Sequence, residues 1–530
     1  MSRVWKLIVR CQDHPEAVAF FAMLVAGLTL MFLIPVWNIN DFFFHHSVVY
    51  SVSNRFNGVG SADEAMLTMR VSDNAFLLEE GIDDNYEYYS PTAQSIRAAT
   101  RGIFSRCEDT TLIGSAFPSP RTLGMDFYSV WNYLPFIAVF TIGKGAGLSL
   151  TGIFFFSRIC ALLVHTLLTC YAIKKMPLVR GKWLIAALAM IPVNVMNLTA
   201  LSYDGILLAV VYNLFASVLR IRYEGHCDAK RAAELLVWCF LLGAVKGGGN
   251  AFLIVAVCML CERPLKQTKN LLPVAAVLVC VLSVLYFDIW SQPSESSYFQ
   301  FAAQAENNWS VGYATRHPGR YLLVWCHTMI DRFTYLFHST FGGRLGWDEQ
   351  VTSFLMTVLF FIMVLMIALP GGGGAGKHKA EMPDAVVRDS TPAEADRRRL
   401  RYRLWERIWL FIPAQLLVLA IPMAVFSMVP LDSVSFYGIQ GRYYQPALLP
   451  FLLMLFAGDA AVPQDKALVR DEEEAPGYKA PARDEEEDTA GHPGERRGIR
   501  HAAYRVAGWM YMILLYVILV RQMLGLYMSR

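Results

Sequence analysis

Three acidic side chains in this 530-residue chain could carry chemistry on a substrate. Asp63 and Glu64 are adjacent and follow the first apolar run, and Asp204 stands between two later apolar runs. A carboxylate can remove a proton from a hydroxyl group, so these acids are candidates for a general base or for substrate contacts. The alternatives stay open, because acids on a loop are usually solvated and an aspartate at a turn is commonly a helix N-cap.

Three basic side chains could bind an anion beside those acids. Lys246 precedes Gly247–Gly249 inside an apolar region, Arg158 lies within an apolar run, and Arg442 is followed by Tyr443. A guanidinium group binds phosphate through two N–H groups, and exposed backbone amides at glycines can add to such a site. Lys246 could instead reach out to the membrane interface, and the Arg442 segment could be an aromatic-belt anchor.

Two further possibilities are a sugar contact in a glycine-rich stretch and a metal site on the three acids. Trp347 and Asp348 lie in the stretch 341–349, where a tryptophan face could stack on a sugar, although an interfacial anchor is the simpler interpretation. A Mg or Mn ion could bind through Asp63, Glu64 and Asp204, because such ions prefer oxygen ligands. No clustered carboxylate motif demands a metal, so we expect no metal site and no cofactor.

The composition restricts the elements that can position these residues. The chain is 55% hydrophobic and 17% charged, and its mean hydropathy is +0.36. A soluble chain would carry about 25% charge, which excludes soluble multidomain enzymes and disordered chains. The net charge of +3 and the lack of a nucleic-acid motif give no reason to expect a nucleic-acid partner.

Long apolar runs predict an all-α, polytopic bundle of transmembrane helices with about 11 membrane segments. The predicted segments are 17–37, 150–173, 183–203, 205–222, a short pair at 233–245 and 249–261 that spans or is re-entrant, 270–290, 350–370, 405–429, 446–461 and 504–527.

The distribution of basic residues predicts an orientation. The proposed cytoplasmic segments contain 31 of the 47 lysines and arginines, which places the N-terminus in the cytoplasm and the C-terminus outside the cell membrane. The apolar segment 129–148 is then a helix at the outer face, because a crossing there would reverse the basic loop that follows.

This orientation divides the chain into regions. They are an N-terminal transmembrane module 1–370 with outer loops 38–149 and 291–349, a disordered cytoplasmic loop 371–404 whose basic cluster could contact anionic membrane lipids, a transmembrane pair 405–461 with the outer Gln-Gly-Arg-Tyr-Tyr motif, a disordered charged loop 462–503, and a last helix 504–530.

The order of these features resembles a large bacterial family of predicted membrane proteins of unknown function. That family is in turn similar to the GT-C superfamily of glycosyltransferases. The resemblance covers about residues 17–527 apart from the two charged loops. It rests on the acidic pair Asp63-Glu64, Tyr133-Leu134-Pro135 before Arg158, Ser202-Tyr203-Asp204, Lys246, Gly343-Arg344-Leu345-Gly346-Trp347-Asp348, and Gln440-Gly441-Arg442-Tyr443-Tyr444 with Pro446.

The resemblance implies an inverting transfer of a sugar from a polyprenyl-phosphate donor to an envelope glycan or lipid acceptor on the outer face. It implies that Asp63 and Glu64 occupy the position of the essential acid in the first outer loop. The remaining candidates take supporting roles. These are Arg158, Lys246 and Arg442 at the donor phosphate, and Asp204, Tyr443, Trp347 and Asp348 at the substrate.

Two other classes of protein stay open. A transporter or flippase of lipid-linked sugars or other envelope precursors would also use charged residues and broken helices inside a membrane. Such a protein often has paired halves, and the sequence has no evident internal repeat. An envelope scaffold would not need Lys246 or Arg442 within the bilayer.

Overall fold

The protein is mostly helical. Its computed structural model describes residues 14–60, 65–81, 93–120, 130–224, 227–261, 271–286, 307–346, 350–368, 392–456 and 493–528. The α-helices, in chain order, are α1 (Pro15–Leu33), α2 (Phe42–Phe56), α3 (Val71–Glu79), α4 (Ala93–Thr100), α5 (Leu134–Gly145), α6 (Leu150–Lys175), α7 (Val179–Ala189), α8 (Pro192–Thr199), α9 (Asp204–Glu224), α10 (Ala229–Ala244), α11 (Leu271–Val284), α12 (Val311–Arg316), α13 (Pro318–Asp331), α14 (Phe333–Thr340), α15 (Phe354–Ala368), α16 (Pro392–Ala420), α17 (Gln445–Leu453) and α18 (Pro493–Met528).

Short strands and 3-10 segments supplement the helices, so the all-α prediction is incomplete. Strands β1 (Met66–Arg70) and β2 (Leu112–Pro118) form one antiparallel pair, and β3 (Arg344–Leu345) and β4 (Gln350–Val351) form another. The 3-10 segments are Val36–Asn38, Val130–Asn132, Val245–Gly248, Ala251–Leu260, Ile421–Met428, Gly441–Tyr444 and Met454–Phe456.

The prediction of about 11 membrane segments is wrong. Within the described ranges, five helices are long and apolar enough to cross a membrane, or six if one bent pair is a single crossing. The five are α1, α6, α9, Leu404–Phe426 at the end of α16, and Ala503–Gly525 within α18. The bent pair is α7 and α8, whose axes differ by 71°.

Within the described residues, several apolar runs do not form one continuous helix long enough for a crossing. Two residues separate the end of α7 at Ala189 from Pro192, which begins α8, and a proline cannot donate the backbone hydrogen bond that would continue a helix. Helices α11 and α15 have 14 and 15 described residues, fewer than the roughly 20 that a crossing needs. After α10, the chain continues in 3-10 geometry rather than as a second helix.

The core is organised around α9. Of its apolar window, 94% is buried, more than for any other candidate span in the described ranges. Helices α6 and α10 pack against it, and α1 packs against α6. A helix enclosed on all sides is fixed in position, and so is Asp204 at its first residue.

A small module built on the strand pair β1–β2 holds α2 in place after the first candidate span. Strand β1 pairs with β2, with Arg70 opposite Leu112. The Arg70 guanidinium donates to both carboxylate oxygens of Asp73 at 2.8 and 2.9 Å, and the Tyr50 hydroxyl donates to the same carboxylate at 2.6 Å. Since Tyr50 lies on α2, this buried network ties the helix to the strand pair.

Two helices begin inside segments that the sequence predicts as loops. Helix α16 begins at Pro392 and α18 at Pro493, so each starts within a segment that the sequence predicts as a disordered loop. The rest of both predicted loops, 371–391 and 462–492, lies outside the described residues. Helix α5 covers the middle of 129–148 and has 12 residues, too few for a crossing.

Candidate functional site

Four charged side chains, Asp41, Asp204, Lys246 and Arg442, form one ion cluster. The Lys246 ammonium donates to Asp204 Oδ1 at 2.9 Å, and Arg442 Nη1 lies 3.4 Å from Asp204 Oδ2. Arg442 Nη2 donates to the Asp41 carboxylate. The side chains of Asp204 and Arg442 are 5% and 8% exposed, whereas that of Asp41 is 30% exposed. The cluster is therefore buried, and it approaches the surface at Asp41.

The four residues come from four distant elements. Asp41 stands immediately before α2, and Asp204 begins α9. Lys246 lies in the 3-10 turn after α10, and Arg442 lies in the 3-10 turn before α17. The cluster is thus a point where the segment after the first span, the buried central helix and the last third of the chain are joined.

Two of the four residues have a strained backbone. Asp41 has a φ of 59° and Lys246 a φ of 55°, and they are the only non-glycine residues with positive φ in the described ranges. This left-handed region is costly for residues with a side chain, and such residues gather at functional sites, where surrounding contacts hold them. For Lys246 one such contact is visible, because its backbone N–H donates to Asn132 Oδ1 at 3.0 Å.

Two glycines allow the backbone beside Asp204 and Arg442 to pack closely against neighbouring elements. A Cβ on Gly205, next to Asp204, would lie 2.5 Å from the Asn197 carbonyl oxygen. A Cβ on Gly441, next to Arg442, would lie 2.3 Å from the backbone nitrogen of Thr340. Only glycine fits these positions, because the backbone would otherwise have to move.

The loops that carry Asp41 and Arg442 are also joined directly. The Asn40 side chain donates to Gln440 Oε1 at 2.8 Å, and the Gly441 backbone N–H donates to Ser339 Oγ at 3.0 Å. The Asn40–Gln440 contact holds the two loops together independently of the ion pair between their charged residues, and the Gly441–Ser339 contact attaches the Arg442 loop to α14.

Three buried polar atoms at the cluster have no hydrogen-bond partner in the part of the chain that the structure describes. They are Arg442 Nε, Asp204 Oδ2 and His45 Nε2. Buried polar atoms are nearly always hydrogen-bonded, so three orphaned atoms in one place call for an explanation. Asp204 Oδ2 still lies 3.4 Å from Arg442 Nη1, so the hydrogen-bonding capacity that a polar ligand could use is mainly that of Arg442 Nε and His45 Nε2.

His45 and tyrosine rings border the cluster. His45 Nδ1 and the Tyr133 hydroxyl are 2.6 Å apart and share a hydrogen bond, and the His45 ring packs edge-on against Tyr203. The Lys246 ammonium lies 4.5 Å from the centre of the Tyr443 ring and 5.1 Å from that of Tyr203. Aromatic faces stabilise a buried cation, which adds to the contact with Asp204.

Burial and neighbouring charges set the protonation of these groups. Burial lowers the pKa of His45 to about 4, so its ring is neutral near pH 7. Burial opposes the charge on Arg442, but the carboxylates of Asp41 and Asp204 raise its pKa well above the ordinary value. Burial also lowers the pKa of Lys246, and the neighbouring Asp204 carboxylate opposes that shift. The contacts pair two basic with two acidic side chains, so that the charges of the four balance when all are ionised.

Arg158 binds elsewhere. Its guanidinium donates to the Met31 carbonyl oxygen at 3.0 Å and to the Thr199 carbonyl oxygen at 3.1 Å. Both carbonyls belong to the last turn of a helix, α1 and α8, where backbone oxygens lack intrahelical partners and a cation is favoured. The visible contacts of Arg158 are thus those of a shared cap for two helix ends.

The structure brings together four of the residues that the sequence singled out, Asp204, Lys246, Arg442 and Tyr443. For Asp204 and Lys246 the structure shows contacts within the cluster. Asp204 directs its carboxylate to two cations, and Lys246 turns inward to that carboxylate rather than out to the interface. The other candidates, Asp63, Glu64, Trp347 and Asp348, lie outside the described residues.

Sequence reasoning missed Asp41 and His45. Both lie in Asn38-Ile39-Asn40-Asp41-Phe42-Phe43-Phe44-His45-His46, directly after the first span. The available signal was a concentration of polar groups at the end of an apolar helix, followed by three phenylalanines. That signal cannot name the partner of Asp41, which is 401 residues away in the chain.

No group of three or more histidine, cysteine, aspartate or glutamate side chains within the described ranges is arranged to hold a metal ion. Asp63 and Glu64, two of the three acids that could take part in a Mg or Mn site, lie outside those ranges. The third, Asp204, has its carboxylate engaged by Lys246 and Arg442.

Comparison with known proteins gives one family. The model of a family described as predicted membrane protein (DUF2142) matches residues 108–454. This match includes Asp204, Lys246 and Arg442 and begins after Asp41. No curated protein and no solved structure matches the chain.

Proposed function

The chain belongs to the predicted membrane protein family DUF2142, and we propose that this multi-pass membrane protein is a glycosyltransferase similar to the GT-C superfamily. It transfers a sugar from a polyprenyl-phosphate donor to a glycan or lipid acceptor of the cell envelope. The reaction takes place on the extracytoplasmic face, with the N-terminus in the cytoplasm and the C-terminus outside.

The observation that carries this proposal is the ion cluster with its orphaned atoms. Arg442 and Lys246 lie on the two sides of the Asp204 carboxylate, and Arg442 Nε is a buried donor without a partner in the described ranges. Transfer of a sugar from a lipid phosphate leaves negative charge on that phosphate, and preorganised cations stabilise it best in a site shielded from water. We place the donor phosphate against Arg442 and Lys246.

The reaction needs a base as well as an anion site. In the proposed step, the acceptor hydroxyl oxygen attacks the anomeric carbon as the bond from that carbon to the phosphate oxygen breaks. The hydroxyl proton passes to Asp63 or Glu64, and the lipid phosphate leaves with the bonding electrons. Attack from the face opposite the phosphate inverts the configuration at the anomeric carbon.

The remaining residues have supporting roles in the proposal. Tyr443 packs against both cations of the cluster, and together with Asp204, Trp347 and Asp348 it contacts the sugar or the acceptor. The sequence placed Arg158 at the donor phosphate too. Its contacts with two helix ends favour a positioning role, in which it fixes α1 and α8 relative to α6.

A second function has one specific observation in its favour. The bent pair α7 and α8 turns by 71°, and interrupted helices near charged groups are also how transporters build substrate sites. A flippase of lipid-linked sugars would use the same phosphate contacts without breaking the sugar–phosphate bond.

Mass spectrometry of envelope glycans and lipid-linked sugars tests the proposal. Cells without the protein should lack one sugar on a glycan or lipid and should accumulate the matching lipid-linked donor. Wild type and Arg316→Met, an exposed arginine changed as a control, should restore the sugar, whereas Arg442→Met should not. Envelope glycans that are the same with and without the protein would contradict the proposal.

A further inference from the structure

The ion pair between Asp41 and Arg442 suggests which substrate the cluster takes. Resting on the proposed function, we propose that the Asp41 carboxylate occupies the position of the substrate's phosphate on Arg442. The site then takes a lipid phosphodiester with a single negative charge, in preference to a lipid diphosphate, and Asp41 leaves Arg442 when that phosphodiester binds.

The first argument is the geometry of Arg442. One of its terminal nitrogens donates to Asp41 and the other faces Asp204, while Nε has no hydrogen-bond partner in the described ranges. Guanidinium groups bind phosphate with two parallel N–H groups. A phosphate in place of the Asp41 carboxylate could use Nε together with Nη2, and this would satisfy the buried donor that the carboxylate leaves unused.

The second argument is charge. The cluster has two carboxylates and two cations, and His45 beside it is neutral near pH 7. An added anion would leave an uncompensated negative charge in a buried place, which is costly. A phosphodiester carries one negative charge, so exchanging it for the one carboxylate of Asp41 keeps the balance. A lipid diphosphate carries at least two negative charges, so exchanging it for Asp41 would leave the cluster with an excess negative charge.

The third argument is that Asp41 is the member able to move. Its side chain is 30% exposed, whereas that of Asp204 is 5% exposed. Its backbone is held at a φ of 59°, and although it is the N-cap residue of α2, its side chain makes no capping hydrogen bond. An N-cap aspartate normally has an extended backbone and accepts a hydrogen bond from the first turn. Release from Arg442 would let Asp41 adopt that conformation.

Binding measurements on the full chain test this inference. The protein is placed in nanodiscs of zwitterionic phosphatidylcholine and titrated with methyl farnesyl phosphate, farnesyl diphosphate and inorganic phosphate. While Asp41 is paired with Arg442, the site cannot bind the phosphodiester, so the apparent affinity is reduced in proportion to the fraction of molecules in which the pair is broken. Asp41→Asn should therefore bind methyl farnesyl phosphate about tenfold more tightly than wild type. Asparagine tolerates positive φ, and Asp41→Gly, which removes both strain and charge, should give the same gain.

The controls and outcomes separate the two proposals. Asp109→Asn, at an exposed acid just before β2, should bind as wild type does, and Arg442→Met should lose binding even when combined with Asp41→Asn. If wild type binds but both Asp41 variants bind no more tightly, the exchange of carboxylate for phosphate is wrong and the transferase proposal stands. Equal or tighter binding of the diphosphate or of inorganic phosphate would overturn the substrate class. No binding by wild type or by the Asp41 variants would overturn both proposals.

Discussion

Removing the Asp204 carboxylate should expose how strongly the ion cluster is coupled. Asp204→Ala leaves Lys246 and Arg442 buried with one carboxylate between them, and Lys246 loses its contact at 2.9 Å. Losing one partner of a buried pair typically costs about 3–5 kcal/mol. We therefore expect Asp204→Ala to lower the free energy of unfolding by an amount in that range.

Replacing Lys246 as well as Asp204 should restore part of the lost stability, and the two changes together form a double-mutant cycle. Two unit charges 2.9 Å apart attract by roughly 6 kcal/mol at an effective dielectric constant of about 20, and desolvation of both groups opposes most of it. We expect a net coupling of about 2 kcal/mol between Asp204→Ala and Lys246→Met, within the usual range for contacting residues. The double variant should then be more stable than the sum of the single changes predicts.

Unfolding free energies in mixed micelles or bilayers, for wild type, both single variants and the double variant, give the coupling directly. A control cycle pairs Asp204→Ala with Lys175→Met, because Lys175 is bound instead to Glu234 at 2.6 Å. That cycle should be additive within about 0.5 kcal/mol. An Asp204–Lys246 cycle as additive as the control would refute the contact and the cluster built on it.

Three further predictions concern positioning, pH and the base. Gly441→Ala should reduce sugar transfer at least tenfold in an assay of purified protein, because its Cβ would overlap the Thr340 backbone, whereas Gly525→Ala, with open space around its Cβ, should not. Burial lowers the pKa of His46 to about 3, so the unfolded chain takes up its proton first as the pH falls. Stability should drop between about pH 6.5 and pH 3, and His46→Phe should flatten that drop in thermal unfolding. Of Asp63→Asn and Glu64→Gln, one should reduce transfer by about 10²–10⁴-fold, the usual contribution of a general base, and full activity of both would exclude the assigned base.

The sequence predicted those site residues whose charge is unusual for the apolar region in which they lie. A lysine before three glycines in an apolar region and an arginine between a glycine and two tyrosines both need a partner or a ligand. The structure places Lys246 and Arg442 in one cluster with Asp204. Asp41 was missed because nothing in the residues around it indicates that the segment lies against a turn near the other end of the chain.

The number of membrane segments was overestimated for a physical reason. Hydropathy measures how apolar a run is, but a crossing also requires one continuous helix of sufficient length. The run 183–203 is interrupted before Pro192, and the run after Ala244 continues in 3-10 geometry. The breaks coincide with Pro192 and with Gly247–Gly248, residues that mean apolar content does not weigh.

The central claim is that the cluster around Arg442 supports transfer of a sugar from a lipid phosphate. The most direct test uses proteoliposomes that contain the purified chain, radiolabelled lipid-linked sugars from cells lacking the protein, and an envelope extract as acceptor. We predict that the label moves from the lipid carrier to the acceptor with wild type and with Arg316→Met, and stays on the carrier with Arg442→Met. Label that crosses the bilayer while remaining on its lipid carrier, or transfer by Arg442→Met at the wild-type rate, would contradict the claim.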